Sequence, residues 1–148
     1  MATTKTPKTK AKKPKSGAIT TRGKRKEAIA RATITKGKGL VTINKFSLDA
    51  LTDRHVQAMI SEPLNLASDI ASGVDLRVSV FGGGPSAQAQ ACRTAIARAI
   101  IKYSNDDPAL KTKLVEHDRT ILVEDSRRVE PKKYKGPKAR ARFQKSYR

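Results

Sequence analysis

The chain has 148 residues and carries 32 Lys and Arg against 13 Asp and Glu, a formal net charge of +19. This length suits one ordinary domain with extensions, and the charge limits the partner classes to RNA, DNA or an anionic membrane surface. No apolar run approaches the roughly 18 residues of a spanning helix, and the first residues lack the apolar stretch of a secretory signal. We therefore expect a protein that stays soluble and is not exported by that route.

The basic residues are concentrated at the two ends of the chain. Residues 1–31 hold 11 Lys and Arg and one acid, residues 126–148 hold 10 and one, and residues 32–125 hold 11 of each, which gives net charges of +10, +9 and 0. Like-charged ends repel themselves and are expected to be disordered until an anion neutralises them, whereas a balanced segment is typical of a folded body. We predict a globular domain at residues 18–125, preceded by a basic extension at 1–17 and followed by a basic tail at 126–148.

The first part of the predicted domain contains two β-rich stretches and a helical stretch. The stretches ATIT and LVTIN are joined by Lys-Gly-Lys-Gly, which is typical of a hairpin, and Gly37 and Gly39 suit the turn. The next stretch, SLDALTDRHVQAMISEPLNLA, has apolar residues mostly at helical spacing. It predicts one or two short helices that cover the sheet and stop at Pro63.

A strand and an alanine-rich helix come next. VDLRVSVF alternates strictly and predicts a half-buried strand, with Val74, Leu76, Val78 and Val80 on one face. Ser86 is expected to cap a helix through AQAQACRTAIARAIIKY. Its apolar stripe consists of Ala89, Cys92, Ile96, Ala99 and Tyr103. The many alanines predict that this helix lies close to the sheet.

The remaining residues predict two short elements and an irregular tail. Asp107 and Pro108 indicate the N-cap and the first residue of another helix. RTILVED is consistent with one more short strand. In the tail, Pro131, Gly136 and Pro137 oppose a long helix, so we expect the tail to be extended when bound.

The sequence contains no recognisable catalytic or metal-binding pattern. Cys92 has no partner for an internal disulfide, and its separation from His55 and His117 gives no zinc spacing, so we expect a packed core thiol in a reducing environment. The GGGPS segment lacks both the P-loop ending and the G-x-G-x-x-G spacing. It is either a tight turn or a phosphate site at a helix N-terminus. We predict no enzyme activity, no cofactor, no metal and no small-molecule substrate.

The basic tail favours RNA as the partner. Lys and Arg neutralise phosphates, and the rings of Tyr134, Phe143 and Tyr147 can stack on unpaired bases. Composition alone leaves three alternatives open: a chromatin-like DNA-binding protein, an RNA-processing enzyme or its subunit, and tails that only confer solubility.

Four segments resemble one known family in order. They are GKRKEAIARATI at 23–34, GKGLVTIN at 37–44, GGGPSAQAQACRTAIARAI at 82–100, and the sequence from Asp118 to Arg148. Together they are similar to the universal small-subunit ribosomal protein number nine in its archaeal and eukaryotic form, over roughly residues 20–148. The resemblance implies an α+β fold: a small mixed sheet with helices on one side, a left-handed β-α-β crossover, and extended basic tails. Residues 1–17 lie outside the resemblance, and we expect them to form a disordered extension or an extension on the rRNA surface.

The resemblance also implies a place in the head of the small subunit, in the cytoplasm. The implied partners are small-subunit rRNA, neighbouring head proteins and peptidyl-site tRNA, and the C-terminal tail would approach the tRNA backbone. No membrane partner is implied. The predicted rRNA contacts are Lys24, Arg25, Lys26, Arg31, Gly82, Gly83, Gly84, Arg93, Arg98, Arg127, Arg128, Lys132, Lys133, Tyr134 and Lys138. The predicted tRNA contacts are Arg140, Arg142, Lys145, Ser146, Tyr147 and Arg148.

Overall fold

A computed structural model describes residues 18–146 of the chain. Five strands form one sheet: β1 (Ile19–Arg25), β2 (Ala28–Lys36), β3 (Val41–Ile43), β4 (Phe46–Ser47) and β5 (Val74–Phe81). The helices are α1 (Arg54–Leu66), α2 (Ser68–Ala71), α3 (Pro85–Tyr103) and α4 (Pro108–His117). Two 3-10 turns, Leu48–Ala50 and Arg119–Ile121, complete the regular structure of the described residues.

The sheet is mixed, and its strand order is β1-β2-β5-β3-β4. β1, β2 and β5 pair antiparallel, β3 runs parallel to β5, and β4 pairs antiparallel to β3. With the helices on one side of the sheet, the predicted α+β class is confirmed. β3 and β5, joined through α1 and α2, form the expected β-α-β unit; the left hand of its crossover stays a prediction.

The predicted hairpin between ATIT and LVTIN is wrong, although both stretches are strands. β5 lies between β2 and β3, so the Lys-Gly-Lys-Gly segment crosses the start of β5. A carboxylate oxygen of Asp75 accepts hydrogen bonds from the backbone N–H groups of Lys38 (2.8 Å) and Leu40 (3.1 Å). Gly37 lies against this carboxylate, so that a Cβ there would collide with it. Asp75 thus holds the crossing loop in place, which a local turn pattern does not reveal.

The sequence interpretation also missed β1 and the two-residue β4, and it proposed a strand that does not form. Residues 19–31, counted with the disordered basic end, form β1 and the first part of β2. RTILVED forms a 3-10 turn because Asp118 accepts the N–H of Thr120 at 2.7 Å, and buried Ile121 holds the turn against the core. The first 17 residues, with their predicted disorder, lie outside the described residues.

Two helix boundaries differ from expectation. Pro63 does not end α1, which continues to Leu66, because the proline ring is buried with Ile60 on the core side of the helix. Ser86 does not cap α3: Gly84 is the N-cap and Pro85 the first helical residue, so the helix begins earlier than expected. The cap at Asp107 is confirmed, since its carboxylate accepts the N–H of Ala109 at 3.0 Å.

Small residues set the distance between α3 and the sheet. Ala28, Ala30 and Ala32 of β2 are fully buried, as are Ala91 and Ala95 of α3. The hydroxyl of Thr21 donates to the carbonyl of Ala95 at 2.7 Å. A Cβ on Gly23 would lie 2.7 Å from the backbone nitrogen of Ala95 and would collide with the carbonyl oxygen of Ala91. The predicted close approach of this helix is therefore confirmed, and β1 contacts its backbone directly.

We predict that Gly23→Ala destabilises the protein by about 1–3 kcal/mol, because the methyl group meets rigid backbone and forces α3 away from β1. Denaturant unfolding of the full chain measures this. Gly73→Ala is the control, since a Cβ there meets nothing closer than 3.8 Å. Equal stability of the two variants would contradict the close packing.

Candidate nucleic-acid interface

Arg25 connects the end of β1 to α3 and to the segment that follows the 3-10 turn at Arg119–Ile121. Its Nε donates to the side-chain oxygen of Gln90 at 2.6 Å, and one Nη donates to the carbonyl of Arg127 at 3.2 Å. Its other Nη lies 3.0 Å from the carboxylate of Asp125. All three nitrogens therefore have protein partners, although Arg25 was predicted to contact rRNA.

Arg98 makes a second connection to the same segment. From the middle of α3, its Nε donates to the carbonyl of Leu122 at 3.0 Å. One Nη reaches both the carbonyl of Arg22 in β1 (2.8 Å) and the carboxylate of Glu124 (2.7 Å). Arg98 thus connects α3 and the edge strand β1 to the segment that leads into the C-terminal tail. We call this segment, residues 122–127, the tail root.

Arg93 links three helical elements in the same way. Its Nη2 donates to Glu62 of α1 at 2.9 Å and to Asp118, before the second 3-10 turn, at 2.8 Å. Arg25, Arg93 and Arg98 share one feature: each is a half-buried arginine that is paired with a carboxylate of the protein. Their role as rRNA contacts stays a prediction, and the geometry gives them a positioning role as well.

Asp125 is the acidic centre of the tail root. Arg127 donates to it through its side chain at 2.6 and 2.8 Å and through its backbone N–H at 2.8 Å. These bonds to Arg127, helped by the charge of Arg25, hold the pKa of Asp125 at about 2. Asp125 is therefore ionised at neutral pH, and it fixes the direction in which the tail leaves the domain.

A groove of about 650 Å³ brings together predicted contacts that are distant in sequence. It is lined by Lys26 from the β1–β2 turn, by Gly83 and Gly84, and by Arg128 of the tail. Arg25 and the acidic Glu27 also line it. The tertiary structure therefore clusters five of the predicted rRNA contacts around one opening.

The N-terminus of α3 faces this groove. Ser86 and Ala87 of its first turn line the opening, no side chain caps the helix, and its first turn has no acidic residue. The first N–H groups of a helix have no intrahelical partner and favour an anion. This geometry suits a phosphate oxygen.

The glycine turn beside the groove has two parts. Gly82 and Gly83 have φ values of +78° and +64°, and a Cβ on Gly82 would lie 2.5 Å from the carbonyl oxygen of Glu27. A Cβ on Gly84 would meet nothing within 4 Å. The tight-turn interpretation therefore accounts for Gly82 and Gly83, whereas Gly84 opens toward the groove.

The described part of the tail is irregular, but it is not extended throughout. Arg140 forms a two-pronged ion pair with Glu130, at 2.6 and 3.0 Å, which closes a loop of the tail. Arg142 donates to the carbonyl of Tyr134 at 3.2 Å, and buried Gly136 packs against Ala141. Exposed on this tail are Arg128, Lys132, Lys133, Tyr134, Lys138, Phe143, Lys145 and Ser146. Tyr147 and Arg148 lie outside the described residues.

Two exposed arginines were missed. Arg22 of β1 and Arg77 of β5 lie on the face of the sheet opposite α3. The predicted contact Arg31 lies on the same face, in β2, which pairs with both of these strands. Strict alternation in VDLRVSVF places Arg77 on the polar face, and this signal was available in the sequence. Lys24 is half-buried near the end of β1.

Other chemistry is limited in the described residues. Burial raises the pKa of the Cys92 thiol to about 12, so it stays protonated and is a packed core group, as expected. Residues 18–146 contain no cluster of three or more His, Cys, Asp or Glu side chains arranged to hold a metal ion. None of the helices in that range is long and apolar enough to cross a membrane.

Comparison with known proteins gives one consistent result. The family model described as ribosomal protein S9/S16 matches residues 23–148. A protein of Thermoplasma acidophilum called small ribosomal subunit protein uS9 is 51% identical over 128 residues, which covers 86% of this chain and 98% of that relative. Proteins of the same name from Methanothrix thermoacetophila and Dictyostelium discoideum are 45% and 43% identical; they cover 88% and 91% of this chain, and 98% and 97% of their own lengths are matched.

We predict that Asp125→Asn lowers the melting temperature at neutral pH, because the amide cannot form charge-assisted bonds to Arg127 and Arg25. The depressed pKa of Asp125 means that its stabilisation is present above pH 3.8 and is lost as the pH falls toward about 2. The two proteins should therefore converge in acid, as thermal unfolding across pH would measure. Asp106→Asn, which removes an exposed carboxylate, is the control; a pH-independent gap would contradict this assignment.

Proposed function

The chain belongs to the ribosomal protein S9/S16 family, and from this premise we propose that it is a structural constituent of the small ribosomal subunit that binds small-subunit rRNA. Family membership confirms the resemblance seen in the sequence, including its archaeal and eukaryotic form. It also confirms that the chain is not an enzyme, since the family consists of structural ribosomal proteins. Its partners are rRNA and other ribosomal proteins, and we assign it to ribosomes in the cytoplasm.

The groove at the N-terminus of α3 is the observation that best supports rRNA binding. Lys26, Gly84 and Arg128 are far apart in sequence, and the fold places them around one helix end. Two flexible cations beside free backbone N–H groups suit a phosphate of an RNA backbone, which is held by charge and N–H donors with no need for base identity. We infer that this groove anchors rRNA, and that the other predicted rRNA contacts extend the interface from it.

We further propose that the tail contacts peptidyl-site tRNA and that the domain lies in the head of the subunit, next to other head proteins. The tail has a fixed root at Asp125, and the residues beyond it carry exposed cations as far as Lys145. Contacts to phosphate carry no sequence information, which suits a site that accepts every tRNA. Arg140, Arg142, Lys145 and Ser146, with Tyr147 and Arg148 beyond the described residues, are the proposed tRNA contacts.

We predict that Lys26→Gln with Arg128→Gln weakens binding to a small-subunit rRNA transcript and makes the log–log salt slope shallower by about 1.5–2, since two phosphates lose their cations. Binding titrations of the full chain at several salt concentrations measure both quantities. Lys111→Gln with Lys113→Gln removes the same charge from exposed positions on α4 and should change neither. If both pairs behaved alike, the groove would not be an anchor.

We predict that deletion of Lys145 to Arg148 leaves assembly into small subunits largely intact but lowers their affinity for peptidyl-site tRNA, because two cations of the tail are removed. Filter binding of tRNA to purified subunits containing either chain measures the loss. Subunits that contain the Lys111 and Lys113 variant serve as the control. Unchanged tRNA affinity would remove the tRNA part of the proposal and leave the rRNA part standing.

A further inference from the structure

The face of the sheet that points away from α3 carries a row of arginines, and we call it the open face. Along β2 and β5, residues of the open face alternate with residues that point toward α3. The residues that point toward α3 are buried, among them Ala32, Ile34, Leu76 and Val78. The open-face residues of the same strands include exposed Arg22, Arg31 and Arg77. No helix and no described part of the tail covers these three side chains, since all of them are solvent-exposed.

Strand register places these three arginines next to one another on the sheet. Arg22 of β1 is the direct cross-strand partner of Arg31 in β2. Arg77 pairs with Thr33, so it is the diagonal neighbour of Arg31 on the other side. Direct cross-strand neighbours have Cβ atoms about 4.5–5.5 Å apart and diagonal ones about 7–8 Å, and like charges at these positions destabilise the sheet.

Within residues 18–146 this cluster is compensated only in part, because the charge of Arg77 acts on one nearby carboxylate, that of Asp75. Asp75 is the one acidic residue of the open face, and it accepts hydrogen bonds from the backbone of Lys38 and Leu40. Arg22, Arg31 and Arg77 form no side-chain hydrogen bond or ion pair within the described residues, in contrast to Arg25, Arg93 and Arg98. Arg25, Arg93 and Arg98 are therefore paired with carboxylates of the protein. The arginines of the open face remain available to an external anion.

The composition of the open face favours a nucleic-acid backbone over an acidic protein surface. Hydroxyl donors lie between the cations, with Ser79 opposite Arg31 and Thr33 opposite Arg77. At the end of β5, on the same face, the ring of Phe81 is 54% exposed. Cations that track phosphates next to an exposed ring that stacks on bases are the elements of a nucleic-acid-binding surface.

We propose that the open face is a second RNA-binding surface, in which Arg22, Arg31 and Arg77 contact phosphates of the backbone. This inference rests on the proposed function, since it takes small-subunit rRNA as the polyanion. It adds a surface on the side of the sheet opposite α3, and it assigns Arg22 and Arg77, which were not among the contacts predicted from the sequence, to the interface.

The test compares two triple variants of the full chain. Arg22→Gln, Arg31→Gln and Arg77→Gln neutralise the open face; Arg54→Gln, Lys113→Gln and Arg119→Gln remove the same charge from exposed helical positions elsewhere. Each protein is titrated with a full-length small-subunit rRNA transcript at several salt concentrations. We expect the open-face variant to lose affinity by about tenfold or more and its salt slope to become shallower by about 2–3, and the control to match the wild type.

Thermal unfolding of the free proteins gives an independent readout. Removal of like charges across β1, β2 and β5 should leave the melting temperature of the open-face variant equal to or above that of the wild type, while its RNA affinity falls. A contact that serves the fold would lower both quantities together. A lower melting temperature would therefore overturn the inference.

The remaining outcomes separate this inference from the proposed function. If the wild type did not bind the transcript, the proposed function would fail, and this inference with it. If the wild type bound and the two triple variants had equal affinities, the open face would not bind RNA and the function would stand. If the open-face variant bound RNA like the control but failed to enter small subunits, the face would dock on a neighbouring protein, which also overturns the inference.

Discussion

The close contact between α3 and the strands β1 and β2 is the constraint on which the rest of the structure depends. Gly23 and the buried alanines of β2 and α3 allow backbone to approach backbone. Because α3 lies so near the edge strand, Arg98 can reach the carbonyl of Arg22 on one side and Leu122 and Glu124 on the other. The fold of the domain and the position of the tail root are therefore fixed by the same packed layer.

The arginines differ in role because they differ in partners. Those that emerge near the helix-covered side meet Glu62, Asp118, Glu124 or Asp125 and stabilise the fold. Arg22, Arg31 and Arg77 on the open face and Arg128 at the groove form no ion pair within the described residues, and they remain available to polyanions. The balanced net charge of residues 32–125 does not reveal this division, because only four acids of that segment, Glu62, Asp118, Glu124 and Asp125, are the partners of the paired arginines.

Local sequence patterns predicted local structure well and long-range pairing poorly. The alternation of β5, the apolar stripe of α3 and the cap at Asp107 each depend on neighbours within a few residues, and all three are confirmed. The loop that crosses from β2 to β3 is held by Asp75, which lies 38 positions after the loop begins at Gly37, and no short window contains both. Likewise, sequence selected the cations of the candidate interface by type, but which of them have carboxylate partners is decided by tertiary contacts.

Because Asp125 holds its first residues against the domain, the tail is a chain segment attached at one end. The 19 described residues after Arg127 span about 65 Å when fully stretched. The loop closed by Arg140 and Glu130 shortens that reach. This ion pair stabilises the loop only weakly, because the Arg140 side chain is 85% exposed. A polyanion that competes with Glu130 for Arg140 would open this loop. The tail would then reach further from the domain, so that binding of the ligand would itself extend the segment that binds it.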